Sequence, residues 1–316
     1  YCLQKIYWLN IMIHNNKIII PGGAGFVGRN LVRLLISENF PPENITIIDK
    51  DTTQIQKKWG TKIQIIEADL SKKGSWIHCF TNQDIVIHLA AQISSHDKNE
   101  FIQNNVIATE NIIEASKSNS ISKIIFFSSA AVLSVRKDPY ASTKMEAEKL
   151  VINSGITYCI IRPSMMYGPT DDKNIGYLIK FAKKFPFFPI PGHGEWPRQP
   201  IYIDDILHII IKMVDAFPNN QIFSINGKDT VFFKDMVQNV INEIGGKKII
   251  VHLPIPVFKS AMYLYQLIIG DKQFTSDQVD SLASCDIFPD YPWWEIYNIP
   301  CTSFRNGVKQ MLYSEK

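Results

Sequence analysis

The 316-residue sequence has no run of five or more like charges, and its 33 basic and 30 acidic residues nearly balance. This absence argues against nucleic-acid binding, which needs a basic patch on one face of the protein. The longest apolar stretch, residues 257–270, is interrupted by Lys259 and Gln266 and is too short to cross a bilayer of about 30 Å. We therefore expect a globular protein that neither binds nucleic acid nor spans a membrane.

Cysteine is scarce as well, and the sequence has no Cys-x-x-Cys pair and no cysteine clustered with histidine. The five cysteines are Cys2, Cys79, Cys159, Cys285 and Cys301. An odd, scattered set favours free thiols in a cytoplasmic protein, and the histidines have no partners at metal-ligand spacing, so no metal site is predicted. The N-terminal residues lack a signal-peptide cleavage site. We treat residues 1–16 as an extension that belongs either to the native protein or to upstream sequence.

Over the first two hundred residues, apolar runs rich in β-branched residues alternate with segments of helical periodicity. The predicted strands are Lys17–Ile20, Ile45–Ile48, Ile63–Ile66, Ile85–Leu89, Lys123–Phe127 and Thr157–Ile161, all fully buried. The predicted helices between them are Phe26–Ser37, Phe101–Ser118 and Tyr140–Asn153. This alternation predicts an α/β fold with a doubly wound parallel sheet, in which ligands bind at the carboxyl ends of the strands.

Proline becomes frequent after residue 162, and ten of the seventeen prolines lie there in two groups. Because proline fixes φ and removes a backbone donor, we expect the first group, residues 163–200, to form rigid connecting loop with short helices. We predict a division at this point. Residues 17–162 would form the sheet domain, and residues 163–316 a smaller lobe with segments that return to the sheet.

Gly22, Gly25 and Gly28 form a G-x-x-G-x-x-G turn between the first predicted strand and the first helix. Glycines there allow backbone N–H groups to approach a pyrophosphate at the helix N-terminus. Asp49 ends the second strand, where an acid accepts hydrogen bonds from a ribose 2′-hydroxyl. This position favours NAD over NADP, although Arg29 and Lys50 lie close enough in sequence to keep NADP open. The alternative for Asp49 is a simple turn residue.

Tyr140 and Lys144 are four residues apart on a predicted helix, so their side chains share one face. A lysine ammonium beside a phenol stabilises the phenolate and lowers a pKa that starts near about 10. Ser129 stands at the carboxyl end of a predicted central strand, where its hydroxyl can orient a substrate oxygen. We interpret these three residues as a catalytic set for proton exchange at a carbinol or ketone. Alternatively, they are an exposed helix pair and a strand-end serine.

With these motifs in order along residues 17–210, the chain resembles the extended short-chain dehydrogenases/reductases of the NAD-dependent epimerase/dehydratase family, which includes the UDP-galactose 4-epimerases. The matching segments are Gly22–Gly28, Asp49, Ala68–Leu70, His88–Gln92, Asn105, Ser128–Ser129, Tyr140 with Lys144, Arg162–Pro169 and Arg198–Asp205. The resemblance implies a Rossmann-type sheet, a smaller C-terminal substrate-binding lobe and NAD as cofactor, with NADP not excluded. Members often dimerise through Rossmann-domain helices, which implies a homodimer.

The resemblance also implies a role for individual residues. Cofactor contacts are implied for Gly22, Gly25, Phe26, Val27, Gly28, Asp49, Asp69, Leu70, Ala90, Ala91, Gln92, Asn105, Tyr140, Lys144 and Pro163. Substrate contacts are implied for Ser129, Ser164 and Arg198, and the guanidinium of Arg198 suits the diphosphate of a nucleotide sugar. A surface arginine, or one paired with Asp204 or Asp205, remains the alternative for Arg198.

The sequence departs from the family pattern in several places. Only eleven positions lead from Ser129 to Tyr140, fewer than is usual in the epimerases, so one wall of the substrate pocket is reduced. Ala130 and Ala131 replace the Asp-Glu pair of the 4,6-dehydratases, which disfavours water elimination. Ser164 stands where many members have asparagine. A second diphosphate arginine is missing from the C-terminal third, where Arg305 is a late substitute.

These features favour an NAD(P)-dependent nucleotide-sugar epimerase that acts at a carbinol carbon, C4 in the leading interpretation, with Tyr140 as acid/base. A keto-sugar nucleotide reductase would use the same residues for one half-reaction. A non-catalytic NAD(P)-binding scaffold or sensor is the alternative from another class. The apolar segment Val257–Ile269 is interpreted as core or subunit contact, with a membrane-surface helix as the alternative.

Overall fold

The computed structural model describes residues 16–135, 138–269, 287–289 and 291–314. The predicted N-terminal extension therefore lies outside the described residues except for Asn16, as do Cys2 and Cys285. Cys79, Cys159 and Cys301 are free thiols. No helix in the described part of the chain is both long enough and apolar enough to cross a membrane.

Thirteen strands and eleven α-helices are assigned within the described ranges. The strands are β1 (Ile18–Pro21), β2 (Ile45–Asp49), β3 (Gln64–Glu67), β4 (Ile85–His88), β5 (Lys123–Phe127), β6 (Thr157–Pro163), β7 (Met166–Tyr167), β8 (Phe187–Pro191), β9 (Pro197–Arg198), β10 (Ile201–Tyr202), β11 (Gln221–Ile225), β12 (Val231–Phe232) and β13 (Ile249–Leu253). The α-helices are α1 (Phe26–Ser37), α2 (Thr53–Trp59), α3 (Lys98–Phe101), α4 (Ala108–Ser118), α5 (Pro139–Ile152), α6 (Ile175–Lys184), α7 (Ile203–Asp215), α8 (Phe233–Ile244), α9 (Ile255–Ile269), α10 (Trp293–Ile296) and α11 (Phe304–Ser314). A π-helical turn, Ile102–Ile107, joins α3 to α4, and three short 3-10 helices are Pro42–Asn44, Ser75–Phe80 and Ala130–Leu133.

Seven parallel strands form the main sheet, in the order β11-β6-β5-β4-β1-β2-β3. The chain runs outward in one direction from β1 to β3 and then in the other direction from β4, so β1 and β4 are neighbours at the point where the strand order reverses. Ile18 is paired with both Ile45 and Ile85 in this register. The sequence prediction of a Rossmann-type doubly wound α/β fold is confirmed.

Burial explains why the strands at the centre of the sheet are composed almost entirely of apolar residues. The four residues of β1 and the four residues of β4 are buried, so an unbroken apolar run is the expected pattern for both. Strand β3 differs from the prediction of full burial, because Gln64 and Glu67 at its two ends are exposed. It is one of the two edge strands of the sheet, so one side of it has no neighbouring strand to cover it.

The proline-rich stretch is more regular than predicted. Instead of a connecting loop with short helices, it contains the ten-residue helix α6 and the strand β8, which carries Pro189 and Pro191. Strand β8 belongs to a two-stranded parallel sheet with β13, in which Ile250 pairs with Phe188. Each strand of a two-stranded sheet has a free edge, and proline is tolerated where its missing N–H faces that edge.

The chain divides into two compact units. The first contains the residues up to Pro163 together with Ile206–Ile225 and Tyr291–Ile299, so that β11 joins its sheet. The second contains Ser164–Asp205, Asn226–Asp290 and Pro300–Lys316. Each unit has its own apolar cluster. One surrounds Phe126 and Ile160 beside the main sheet, and the other surrounds Tyr167 and Val237.

Candidate active site

The glycine turn after β1 lies against the residues that follow β4. Gly22 has φ of +81°, and a Cβ atom there would lie 2.2 Å from the backbone nitrogen of Ala90. A Cβ atom on Gly28 would lie 2.3 Å from the carbonyl oxygen of Gly23. Helix α1 therefore begins close to the sheet, with Gly25 as an N-cap that provides no side-chain hydrogen bond. The first N–H groups of α1 have no intrahelical partners, which makes this turn a cradle for an anion.

Asp49 closes the other side of this turn. Its carboxylate accepts hydrogen bonds from the N–H of Ala24 at 2.9 Å and from that of Lys50 at 2.8 Å. Burial raises the pKa of Asp49, and these backbone hydrogen bonds only partly offset that effect. The carboxylate is thus held at the end of β2, next to the glycine turn, where the sequence predicted a ribose contact.

Arg29 and Lys50, the two basic residues that left NADP as an alternative cofactor, have hydrogen-bond partners in the protein. Lys50 Nζ lies 3.1 Å from Asp69 Oδ1 and donates a hydrogen bond to Asn104 Oδ1 at 2.6 Å. Arg29 donates to the side-chain oxygen of Gln54. A 2′-phosphate would have to compete with these acceptors for both cations.

Asp69 follows β3 and is fixed by its neighbours. Its Oδ1 accepts hydrogen bonds from the N–H of Ser71 at 3.0 Å and from its hydroxyl at 2.7 Å. Burial acts to raise the pKa of Asp69, but the hydrogen bonds from Ser71 and Lys50 outweigh it, so the pKa is lowered. Leu70, which follows Asp69 and also has an implied cofactor contact, is buried.

Asn105, in the π-helical turn, connects the segment after β4 with helix α5. Its Oδ1 accepts from the N–H of Gln92 at 2.7 Å, and its Nδ2 donates to the carbonyl of Gln92 at 3.1 Å and to Thr143 Oγ1 at 2.9 Å. Asn105 is almost completely buried. One amide therefore fixes the Ala90–Gln92 segment relative to the helix that carries Tyr140 and Lys144.

Helix α5 begins at an Asp-Pro pair suited to a helix N-terminus. The side chain of Asp138 caps the helix by accepting from the N–H of Ala141 at 2.7 Å, and Pro139 occupies the first turn. One turn further on, the buried Lys144 donates from Nζ to the carbonyl of Phe127 at 2.6 Å. Its Nζ also lies 4.1 Å from the centroid of the Phe126 ring. The end of β5 thus holds the lysine beside the strand terminus that bears Ser129.

The structure places the side chains of Ser129 and Tyr140 close enough to interact, and Ser129 Oγ also accepts a hydrogen bond from the N–H of Ala131 at 3.2 Å. Burial raises the pKa of Tyr140 to about 12, although the neighbouring Ser129 hydroxyl acts to lower it. Burial lowers the pKa of Lys144 to about 7, which Glu148 opposes. The pKa of Tyr140 is thus raised, whereas the sequence predicted a lowered pKa. The reason is that burial disfavours both the phenolate and the Lys144 ammonium that would stabilise it.

The predicted substrate residues of the second unit have partners nearby in sequence or in their own unit. Ser164 donates from its hydroxyl to the carbonyl of Gln199, and Arg198 donates from Nη1 to the carbonyl of Pro197 at 2.8 Å. Arg305, the suggested late substitute for a diphosphate arginine, donates from Nε to Glu243 at 2.7 Å. That acidic partner makes Arg305 a poorer candidate for phosphate binding.

Sequence reasoning missed Thr143 and Glu148, two buried residues that support α5. Thr143 accepts the amide of Asn105, and Glu148 binds Arg162 of β6 through both carboxylate oxygens. The spacing of Glu148, four residues after Lys144, could have shown that the two residues share a helix face with Tyr140.

Comparison with known proteins decides the family. The family model for the NAD dependent epimerase/dehydratase family matches residues 18–226. This chain belongs to that family. The resemblance deduced from the sequence motifs is therefore confirmed, and the matched span contains all the predicted cofactor residues.

Two relatives are distant in sequence. A 3beta-hydroxysteroid-dehydrogenase/decarboxylase (isoform 2) of Arabidopsis thaliana is 23% identical over 295 residues, which cover 79% of this chain and 51% of that protein. A putative UDP-glucose 4-epimerase of Methanocaldococcus jannaschii is 29% identical over 261 residues, which cover 72% of this chain and 82% of that protein. The chain thus spans about half the length of the first relative, and 66% of the plant isoform 1.

Two solved structures share the fold over nearly the whole chain. UDP-glucose 4-epimerase of Thermotoga maritima with UDP-glucose has a TM-score of 0.76 and 18% identity, covering 94% of this chain and 98% of that one. UDP-glucuronic acid 4-epimerase of Bacillus cereus in complex with NAD has a TM-score of 0.71 and 21% identity, covering 94% and 96%. At these identities the likeness concerns the fold.

Proposed function

We propose that this protein is an NAD-dependent nucleotide-sugar epimerase that inverts a carbinol carbon, C4 in the leading interpretation. The observation that carries the proposal is the closeness of the Ser129 and Tyr140 side chains, with Lys144 on the same helix as Tyr140 and anchored to the carboxyl end of a central strand. A non-catalytic dinucleotide-binding protein would have no need of all three side chains. Family membership and the two 4-epimerase structures support the same reaction class.

The first unit suits NAD in particular. The missing side chains at Gly22 and Gly28 leave a backbone cradle at the start of α1, where a pyrophosphate would be bound by N–H groups. Asp49 would accept a hydrogen bond from a ribose hydroxyl and repel a 2′-phosphate, and Lys50 already forms an ion pair with Asp69. Asp69 and Leu70 would lie beside the adenine, with Ala90 and Ala91 along the phosphates.

Reversible hydride exchange with the carbinol carbon is the chemistry that a bound NAD would supply. Tyr140 would remove the hydroxyl proton in the oxidation and give it back in the reduction. Ser129 would donate a hydrogen bond to the same substrate oxygen. With a pKa of about 12, the Tyr140 phenol suits the proton-donating step at neutral pH. In the oxidation, Tyr140 must be a phenolate to remove the proton, and Lys144 must be an ammonium to stabilise that phenolate.

The proposed substrate is a nucleotide sugar, and Arg198 has a guanidinium that can bind its diphosphate through two hydrogen bonds. Ala130 and Ala131 supply no acid for the elimination of water, which argues against a dehydratase. Both alanines follow Ser129 in the short 3-10 helix Ala130–Leu133.

The experiment incubates the purified full-length chain with NAD and with UDP-glucose or UDP-glucuronic acid. Proton NMR would follow the sugar, and absorbance at the NADH band would follow the cofactor. We expect a C4 epimer to appear without net formation of NADH. Failure to convert any nucleotide sugar, in a preparation that binds NAD, would contradict the proposal.

A second candidate is a dehydrogenase or reductase that performs one half-reaction on a secondary alcohol or ketone. Two observations favour it. The segment between Ser129 and Tyr140 is short, and named relatives include plant 3beta-hydroxysteroid-dehydrogenase/decarboxylases and a ketoreductase of Stigmatella aurantiaca. In the same assay this function would produce stoichiometric oxidation or reduction of the nicotinamide cofactor.

A further inference from the structure

A buried ion pair joins helix α5 to strand β6. Glu148 lies four residues after Lys144 and is 3% exposed. Arg162 donates from Nε to Oε1 at 2.8 Å and from Nη2 to Oε2 at 2.6 Å, so both carboxylate oxygens are used. Burying two charges carries a desolvation penalty that apolar side chains of similar size avoid, so stability alone does not account for the pair.

The charges around Lys144 indicate what the pair does. Burial lowers the pKa of Lys144 to about 7, and among the described residues Glu148 is the one group that shifts this pKa upward. From β4, burial and the charge of Lys144 hold the pKa of His88 well below its usual range, so the imidazole is neutral. Helices α3 and α4 carry further charged side chains, none of which is a cause of the Lys144 shift: Lys98, Glu100, Glu110, Glu114 and Lys117.

From this arrangement we infer that the Glu148–Arg162 ion pair is a positioning element that favours the ammonium form of Lys144, directed at the Phe127 carbonyl beside Ser129 and Tyr140. The inference rests on the proposed function, in which that ammonium stabilises the tyrosine phenolate. Glu148 acts through Lys144, because residues i and i+4 share one helix face. Arg162 holds the carboxylate in place and ionised by satisfying both of its oxygens.

Removing the Glu148 carboxylate lowers the pKa of Lys144 in two ways. Lys144 loses the negative charge that opposes the effect of burial, and the guanidinium of Arg162 is left buried without its partner. Residues four apart on a helix have Cβ atoms about 5–6 Å from each other. A unit charge at about that separation, with an effective dielectric of about 20, corresponds to a shift of up to about two pKa units. Since the pKa of Lys144 is about 7, a shift of this size converts the side chain from partly charged to largely neutral at physiological pH.

The first experiment follows Lys144 directly by carbon-13 NMR, in full-length protein labelled at lysine Cε, with the signal assigned by its loss in Lys144→Met. In Glu148→Gln the titration midpoint should fall by about one to two pH units, whereas Glu148→Asp should largely retain the wild-type midpoint. Glu243→Gln is the matched control, because it removes the carboxylate of another Glu–Arg pair, in the second unit. Its midpoint should equal that of the wild type.

The pH profile of kcat/KM is a second readout. In Glu148→Gln the alkaline limb should move to lower pH by the same amount, whereas a purely structural role would reduce activity at every pH without moving the limb. If Glu148→Gln fails to fold, the double variant Glu148→Gln/Arg162→Met leaves no buried charge unpaired and should still have a lowered midpoint.

A wild-type midpoint in folded Glu148→Gln, or in the double variant, overturns the inference. The NMR titration needs no substrate, so it separates the two proposals. A chain that converts no nucleotide sugar, yet has a shifted Lys144 midpoint in Glu148→Gln, would contradict the proposed function and leave the charge-setting role of the pair supported.

Discussion

The two units hold their candidate residues in different ways. In the first unit, Asn105 connects the backbone of Gln92 with Thr143 on α5, and Lys144 is anchored to the end of β5. In the second unit, Arg198 donates to the carbonyl of the residue before it. Asn105 and Lys144 are also buried, whereas Ser164 and Arg198 are partly exposed. The cofactor-side residues are therefore enclosed by the packed fold, while the predicted substrate residues keep part of their surface accessible to a ligand.

Replacing Tyr140 by phenylalanine should have the largest effect on turnover and should leave the nucleotide-binding side intact. Loss of the proton carrier should reduce kcat by about 10²–10⁴-fold. Binding of NAD, measured by quenching of protein fluorescence, should be nearly unchanged, because the glycine turn and Asp49 remain. Tyr263→Phe is the matched control, since Tyr263 is 62% exposed on α9. Equal kcat in the two variants would remove Tyr140 from the mechanism.

The glycine turn should show how strictly the first unit is specified. In Gly22→Ala the new methyl group would lie 2.2 Å from the nitrogen of Ala90, at a backbone φ of +81°. Gly155→Ala is the control, since Gly155 has φ of +77° and its new methyl group would have no atom within 4 Å. The control should lose about 1–2 kcal/mol of unfolding free energy from backbone strain alone.

Gly22→Ala should lose more stability than this control, and should also lose NAD affinity by at least about tenfold. Chemical denaturation and NAD titration measure the two quantities. Similar stabilities and affinities for the two variants would mean that the close approach between the turn and Ala90 is not required.

A feature of the fold or of the site could be predicted from the sequence when its physical cause lies in neighbouring residues. Helix α1 has the predicted bounds, Phe26–Ser37, because the glycine turn and the apolar spacing mark it locally. Strand β8 was missed because its prolines are compatible with a strand only through pairing with β13, about sixty residues later. The raised pKa of Tyr140 was missed for a similar reason. The spacing of Tyr140 and Lys144 was readable, but the burial that opposes both charges arises from the packed fold.

On the substrate side, Arg198→Gln should separate the two units functionally. We expect KM for the nucleotide sugar to rise by about tenfold to a hundredfold, as for loss of a charge-assisted hydrogen bond to a phosphate. NAD affinity should not change. Arg305→Gln is the control, because Arg305 is paired with Glu243. An unchanged KM in Arg198→Gln would favour the interpretation of Arg198 as a structural residue, whereas a raised KM in the control would give Arg305 the phosphate role.

The last expected effect is a pH-dependent contribution of Lys144 to the free energy of unfolding. Its pKa is lowered from 10.5 to about 7 in the folded chain, so between these values the unfolded chain binds the proton more strongly. The contribution of Lys144 to stability therefore rises with pH across this window, by at most about 1.4 kcal/mol per pH unit, and is constant below it. Urea denaturation of the wild type and of Lys144→Met at pH 7, 8 and 9 measures the term as the growing difference between them. A difference that does not change with pH would mean that Lys144 titrates normally, and that the first unit does not impose the low pKa on which the role of Glu148 depends.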